Sequence, residues 1–344
     1  MSIAVILLIF LICLKIRFCR PSEFFVEYMS IDNTNTIKGI FVLLVFISHF
    51  SGYIQISDPL YDVLQQKSGQ LIVTCFLFYS GFGIHESLVR KGSKYVLSMP
   101  KKRMLRVMLQ FSMAVLIFFV VRVFQGNPPP WKQLLFSLIG LDAIGNSNWY
   151  IPVVVMLYGI SFVIFRVYGG GNKVGVKQLI LVTICSIMLI KVLQFYRSSY
   201  WYNTILCFPA GMWFSYLRTY YENKLCATSG QWIVQVLVWS GCFILFWNSR
   251  SLLICYELGA ISFSFIVILL TMKVQINNSF LRYCGKHLFS IYILQRIPML
   301  VLEKTPLQQT AFVYFIISFL MTLILSWLFE KTTTPILNKI CGAK

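Results

Sequence analysis

A succession of apolar runs of about helix length, each closed by a short polar connection, constrains this chain more than any other feature. The runs cover 2–14, 38–53, 70–88, 105–124, 149–166, 178–195, 202–217, 232–247, 252–272, 287–302 and 310–329. Hydrophobic residues make up 58% of the chain and charged residues 12%, which excludes a soluble domain of ordinary composition. The connections are too short to build an independent core. The reading is an all-α, polytopic transmembrane helix bundle of about eleven spans.

Basic residues set the orientation. If the connection at 90–106 is cytoplasmic, so are 15–38, 166–177, 218–224, 273–286 and the tail 331–344, and all are basic. The opposite connections hold little beyond Lys67, Lys132, Arg197, Arg250 and Lys304. The positive-inside rule then puts the N-terminus outside and the C-terminus in the cytoplasm. Trp131, Trp149, Trp201 and Trp247 fall near outer ends, as an interfacial aromatic belt does. This dispersal accounts for the net charge of +19 without nucleic acid, for which no binding signature occurs. The ten cysteines show no C-x-x-C spacing and read as packing residues, with no metal site. The connection GGGNKVG at 169–175 lacks the phosphate-loop arrangement and reads as a linker.

Within the second run, IKGIFVLLVFISHF, Lys38 and His49 are eleven positions apart. On a helix that is about three turns, roughly 16 Å, so both face broadly the same side at different depths. An ionisable group inside a span marks a functional site or hydrogen-bonds a neighbouring helix, and His49 admits both readings. The segment KKRMLR contains Lys101, Lys102, Arg103 and Arg106. On an α-helix the two arginines share a face and suit phosphate oxygens, whether of a ligand or of lipid. Glu257 is the one acid well inside a run; it either orients His49 or pairs with an embedded cation, Arg296 or Lys191. Trp149 and Tyr150 either border an acceptor site or belong to the aromatic belt. His85 and His287 read as interfacial.

Taken in order, these motifs resemble the acyltransferase family 3 membrane enzymes, which O-acylate polysaccharides, glycolipids and related extracytoplasmic molecules. Lys38 and His49 match that family's Arg/Lys, ten residues, His signature, and Arg103 and Arg106 match its R-x-x-R. FLFYSGFGI at 76–84 is similar to its aromatic S-G-F segment, and NWYIP at 148–152 to its tryptophan-aromatic helix start. The late segment GKHLFSIYILQR at 285–296 departs from the pattern, with Gln295 where a histidine often stands and Leu288 where a serine does.

The resemblance implies a ten-helix acyltransferase domain over 31–330, preceded by an N-terminal anchor at 1–20 and followed by the basic tail 331–344. It implies transfer of an acyl group, most simply acetyl from cytoplasmic acetyl-CoA, to a hydroxyl of a glycan or glycolipid outside. The setting is the cytoplasmic membrane of a bacterium, amid membrane lipids, with a homodimer as an allowed assembly. Arg103 and Arg106, with Lys101 and Lys102, then hold the coenzyme's phosphates, and Lys38 pairs with phosphate or polarises the donor path. His49 acts as general base or carries the acyl group, and both routes stay open. Trp149 and Tyr150 bound the acceptor. The rival from another class, a transporter of a lipid-linked or anionic solute, also accommodates scattered intramembrane charges, although no inverted repeat is evident.

Overall fold

The computed structural model describes residues 2–54, 58, 61–62, 70–169 and 175–342; Lys67 and most of the 169–175 connection lie outside them. Fourteen helices form among the described residues: α1 Ser2–Cys13, α2 Ile31–Phe50, α3 Leu71–Met99, α4 Arg106–Phe124, α5 Trp131–Leu138, α6 Tyr150–Tyr168, α7 Val176–Tyr196, α8 Cys207–Tyr220, α9 Ser229–Asn248, α10 Leu253–Lys273, α11 Ser279–Lys286, α12 Leu288–Leu294, α13 Arg296–Leu302 and α14 Ala311–Cys341. Two short strands, β1 Ile16–Phe18 and β2 Val274–Ile276, pair antiparallel with Arg17 opposite Gln275. Among the described residues the bundle is all-α apart from this ribbon.

Among the described residues seven helical stretches have the length and hydropathy of a crossing, and one of them, Leu71–Phe124, contains both α3 and α4. Three expected spans come out short. Helix α1 has 12 residues and α8 has 14, and α12 and α13 divide the run expected at 287–302. At 1.5 Å per residue these rise about 18 to 23 Å, less than the ~30 Å of a hydrocarbon core. The count of about eleven crossings is therefore not what length and hydropathy return.

Helix α2 begins seven residues before the expected run. Ser30 caps it, its hydroxyl accepting from the Asn33 N–H at 3.2 Å, and Asp32 in the first turn suits the helix dipole. The connection at 90–106 is helical, not a loop. Gly92 takes φ 54° and ψ −140°, breaking the helix direction, and the chain then passes through a π-helical turn, Pro100–Leu105, into α4.

Long-range contacts sort the chain ends into two groups. At one end the Lys273 ammonium donates to the carbonyls of Pro21 (2.8 Å) and Glu23 (2.5 Å) and to Ser229 Oγ (3.1 Å). Tyr28 donates to Glu222, Arg282 pairs with Asp32, and Arg106 reaches Asn338 and Gly342. At the other end Gln70 donates to Tyr200 O, Gln125 to Leu300 O, and Gln308 to Tyr53 O. The first group joins five segments that the charge pattern places on one side. Each of α2 and α4 has one terminus in each group, and so has α10, whose Tyr256 hydroxyl accepts from the Gln70 N–H at 3.2 Å, as crossing helices must.

Two helix pairs are drawn together by reciprocal glycines. A Cβ on Gly39 of α2 falls on the Leu281 carbonyl of α11, and one on Gly285 of α11 falls on the Asn35 carbonyl of α2. Gly81 of α3 and Phe208 of α8 meet in the same way, and so do Gly211 of α8 and Phe78 of α3. Small residues permit this backbone approach, which packing rather than hydrophobicity must drive in lipid. In each pair the obstructing atom is a main-chain carbonyl, which cannot swing aside. Gly81→Ala or Gly285→Ala should therefore destabilise the bundle by about 1–3 kcal/mol or more. The check is a thermal melt in detergent, with Gly83→Ala, whose Cβ meets open space, as the neutral comparison.

Candidate active site

Two basic cavities lie against α3 and the π-turn, and the smaller is also walled by α2, α6 and α8. One, of about 440 Å³, is lined by Lys38, Glu86, Arg90, Arg103 and Arg218 together with Tyr79, Ser80 and Tyr158. The second, of about 720 Å³, is lined by Arg90, Lys91, Lys94, Lys102 and Arg103 with Ser93, Tyr95 and Ser98. Arg90 and Arg103 wall both. Among these linings the cations are seven and the acid is Glu86 alone. Several groups are held in place: Lys38 Nζ lies 5.6 Å from the Tyr79 ring centre, Arg103 5.9 Å from that of Tyr95, and Arg218 pairs with Glu222 at 2.8 Å. Such a surface suits a ligand carrying several phosphates.

The paired-arginine expectation needs correcting here. Three residues apart on an α-helix, Arg103 and Arg106 would project together, but the π-turn between them changes the winding and separates them. Arg103 faces the cavities. Arg106 is buried and turned to α14, its guanidinium donating to Asn338 Oδ1 (2.9 Å) and Gly342 O (3.2 Å). Lys102 lines the larger cavity, whereas Lys101 is exposed and lines neither. Arg90, Lys91 and Lys94, which the sequence reading treated only as orientation charges, take the places beside Arg103.

His49 lies in a separate cluster of polar side chains toward the other end of α2. Its ring sits 6.2 Å from that of Tyr292, and Arg296 lies within electrostatic reach of it. His49 Nδ1, the Tyr292 hydroxyl, the Ser147 hydroxyl and Arg296 Nε are all buried without a hydrogen-bond partner. The Ser147 and Tyr292 hydroxyls lie side by side but out of bonding geometry. Buried polar atoms are nearly always satisfied, so a ligand or ordered water suits the bonding capacity left open here. Just beyond it, a cavity of about 830 Å³ is lined by Ser51, Tyr53, Glu303, Gln308 and Gln309.

A seam of tyrosines joins the two regions. Ser80, in the lining of the smaller basic cavity, stands beside the hydroxyls of Tyr150 and Tyr158. Tyr150 meets Tyr292 edge to face, ring centres 5.8 Å apart, and Tyr292 meets His49. Tyr150 thus stands between the regions, whereas Trp149, 5.7 Å from Tyr150 and 6.4 Å from Tyr200, lies on its outer side.

Other expected partners fall elsewhere. Glu257 is 1% exposed, and its Oε2 accepts from the Leu206 N–H at 3.0 Å, capping the start of α8 instead of orienting His49. Lys191 is exposed and Arg296 lies with His49, so neither pairs with Glu257. His85 is buried rather than interfacial, with Nδ1 2.7 Å from Ser215 Oγ, which in turn donates to Glu86. His287 is partly exposed and pairs with Glu330 at 2.6 Å. Gln295 is fully buried and donates to Tyr292 O, holding its own helix turn.

A family model described as an acyltransferase domain matches residues 31–331. No curated protein and no solved structure matches the chain.

The separation of the two arginines has a direct test. Arg106→Ala should loosen the end of α14 and expose Cys341, now 1% exposed, to maleimide, whereas Arg103→Ala should leave that labelling unchanged. Peptide mass mapping reads the modification at Cys341 apart from the other cysteines.

Proposed function

The chain belongs to acyltransferase family 3 and is a multi-pass membrane acyltransferase, and from that premise we propose that it moves an acetyl group from acetyl-CoA to a hydroxyl of a polysaccharide or glycolipid. The observation that carries the proposal is the arrangement along α2. Lys38 lines a cation-rich cavity, and about 16 Å further along the helix His49 sits among unsatisfied polar groups. The first suits the phosphates of a coenzyme, and the second suits the chemistry at the end of its arm. The basic loops gather at the phosphate-binding end, so the positive-inside rule supports a cytoplasmic donor and an extracytoplasmic acceptor. On this reading residues 1–20 are a membrane anchor stapled by the β1–β2 ribbon, and the location is a bacterial cytoplasmic membrane.

The residues divide the work. Arg90, Arg103 and Lys102, with Lys91 and Lys94, grip the phosphates, and Lys38 neutralises charge where the arm enters. Arg106 acts at a distance by bracing the π-turn from which Arg103 projects. His49 takes the proton from the acceptor hydroxyl, whose oxygen attacks the thioester carbonyl. The carbon–sulfur bond breaks, and the departing thiolate receives the proton. Tyr150 and Tyr292 stand in the path, so the thioester reaches His49 only when their edge contact opens. The cavity lined by Tyr53, Glu303, Gln308 and Gln309 offers the hydrogen-bonding groups that sugar hydroxyls require.

Two substitutions test the halves separately. Removing Arg90 and Arg103 together should weaken acetyl-CoA binding to the purified protein by about 100-fold, two charge-assisted contacts being lost. His49→Ala should retain that binding while acetylation of surface glycans, followed by mass spectrometry, disappears. Normal acetylation in the His49→Ala strain removes the imidazole from the mechanism.

A further inference from the structure

Arg296 has no role in the account so far, yet it is the cation nearest the reacting end. It follows Tyr292 by four positions along α12 and α13, so the two share a face, and they oppose His49 on α2 and Tyr53 in the 3-10 turn after it. Tyr292 meets His49, and Arg296 lies within reach of His49, Tyr53 and Tyr292. Tyr53 also lines the outer cavity. Arg296 therefore stands at the junction between that cavity and His49.

Its charge is uncompensated. Among the described residues Arg296 enters no ion pair, its Nε is buried without a partner, and no hydrogen bond from its guanidinium is present. Besides Arg296, the titratable and charged groups around Tyr53 and His49 are Tyr292, Tyr314, Arg122 from α4 and Glu303. Arg122 adds a second guanidinium, whose Nε donates to Ile144 O at 3.0 Å. Glu303 acts on Tyr53 and Tyr314 and forms no ion pair with either arginine. A guanidinium does not lose its proton to escape burial, and one half-desolvated beside a second cation gains more from an anion than from a neutral partner. Neutral sugar hydroxyls do not supply that charge. The donor's phosphates do not either, since the cations that suit them lie at the opposite end of α2.

We propose that Arg296 recognises an anion carried by the acceptor, a carboxylate or phosphate close to the hydroxyl that reacts at His49. The enzyme then selects acidic acceptors, uronic-acid-bearing or phosphorylated, over neutral ones. The Ser147 and Tyr292 hydroxyls supply further donors at the same place. The inference rests on the acyl-acceptor reading for what reaches this cluster.

The test is a binding measurement on the full chain in phosphatidylcholine nanodiscs, without coenzyme, so a wrong donor assignment and a wrong anion assignment give different results. The probes form two matched pairs: methyl glucuronide against methyl glucoside, and glucose 6-phosphate against glucose. The wild type should bind the charged member of at least one pair about tenfold or more tightly, and the pair that responds tells carboxylate from phosphate. Arg296→Gln should bring that ratio to within about twofold, and Arg296→Lys should restore part of it. Arg103→Ala should leave it standing, which separates Arg296 from the basic cavities. Melting temperature and elution volume verify that each variant is folded. Equal binding of charged and neutral probes by the wild type, or a preference that survives Arg296→Gln, overturns the proposal.

Discussion

Backbone touching backbone at four glycines holds this structure in register. Gly39 and Gly285 let α2 and α11 meet, and Gly81 and Gly211 do the same for α3 and α8. In lipid no apolar surface is gained by pushing helices together, so close approach and dispersion supply the attraction. Two consequences follow for the site. Helix α2 is pinned over Asn35–Gly39, beside Lys38, and its unbroken rise carries His49 to a fixed distance from that anchor. Helix α3 is pinned beside α8, which brings Ser80, Glu86 and Arg90 to one wall with Arg218.

The two ends of α2 work by opposite electrostatic logic. At the basic end the cations are numerous and partly wet, so each is cheap to keep and they act together on a multiply charged ligand. At the His49 end few groups are present, but they are shielded from water, and single contacts there weigh more. The seam of Ser80, Tyr150 and Tyr292 separates these two environments. Its hydroxyls are polar enough to line a passage, and its rings are bulky enough to fill one.

Much of this was legible in the residues. Apolar runs gave the helical class, and the alternation of basic connections anticipated which loops meet at one end. The spacing of Lys38 and His49 located both regions, because an uninterrupted α-helix joins them. Where winding departs from 3.6 residues per turn, the reading failed. The π-turn at Pro100–Leu105 split Arg103 from Arg106, and no local residue pattern announces such a turn. Polar helix starts were also hidden. The sequence IDNTNT looks like a connection, yet Ser30 caps it and Asn33 packs inside, its amide donating to Tyr28 O. Glu257 misled for another reason: a lone buried acid invites pairing with a cation, but free backbone N–H groups at a helix start are an equally good partner, and Leu206 provided one. Arg296 and Ser147 were obscured because their significance lies in what they fail to contact, which only coordinates disclose.

The tyrosine seam bears on more than the route of a thioester. On the proposed reading the protein joins the two faces of an energised membrane, and such a protein risks short-circuiting the proton gradient across it. Tyr150 and Tyr292, buried and in edge contact, replace a column of water with ring carbon, and hydrated ions pass such constrictions poorly. The crowd of cations at the basic mouth adds an electrostatic barrier to protons and sodium. In the proposed mechanism insulation and donor passage thus fall to the same pair of rings, and any widening of the seam for bulkier cargo is limited by the leak that it admits.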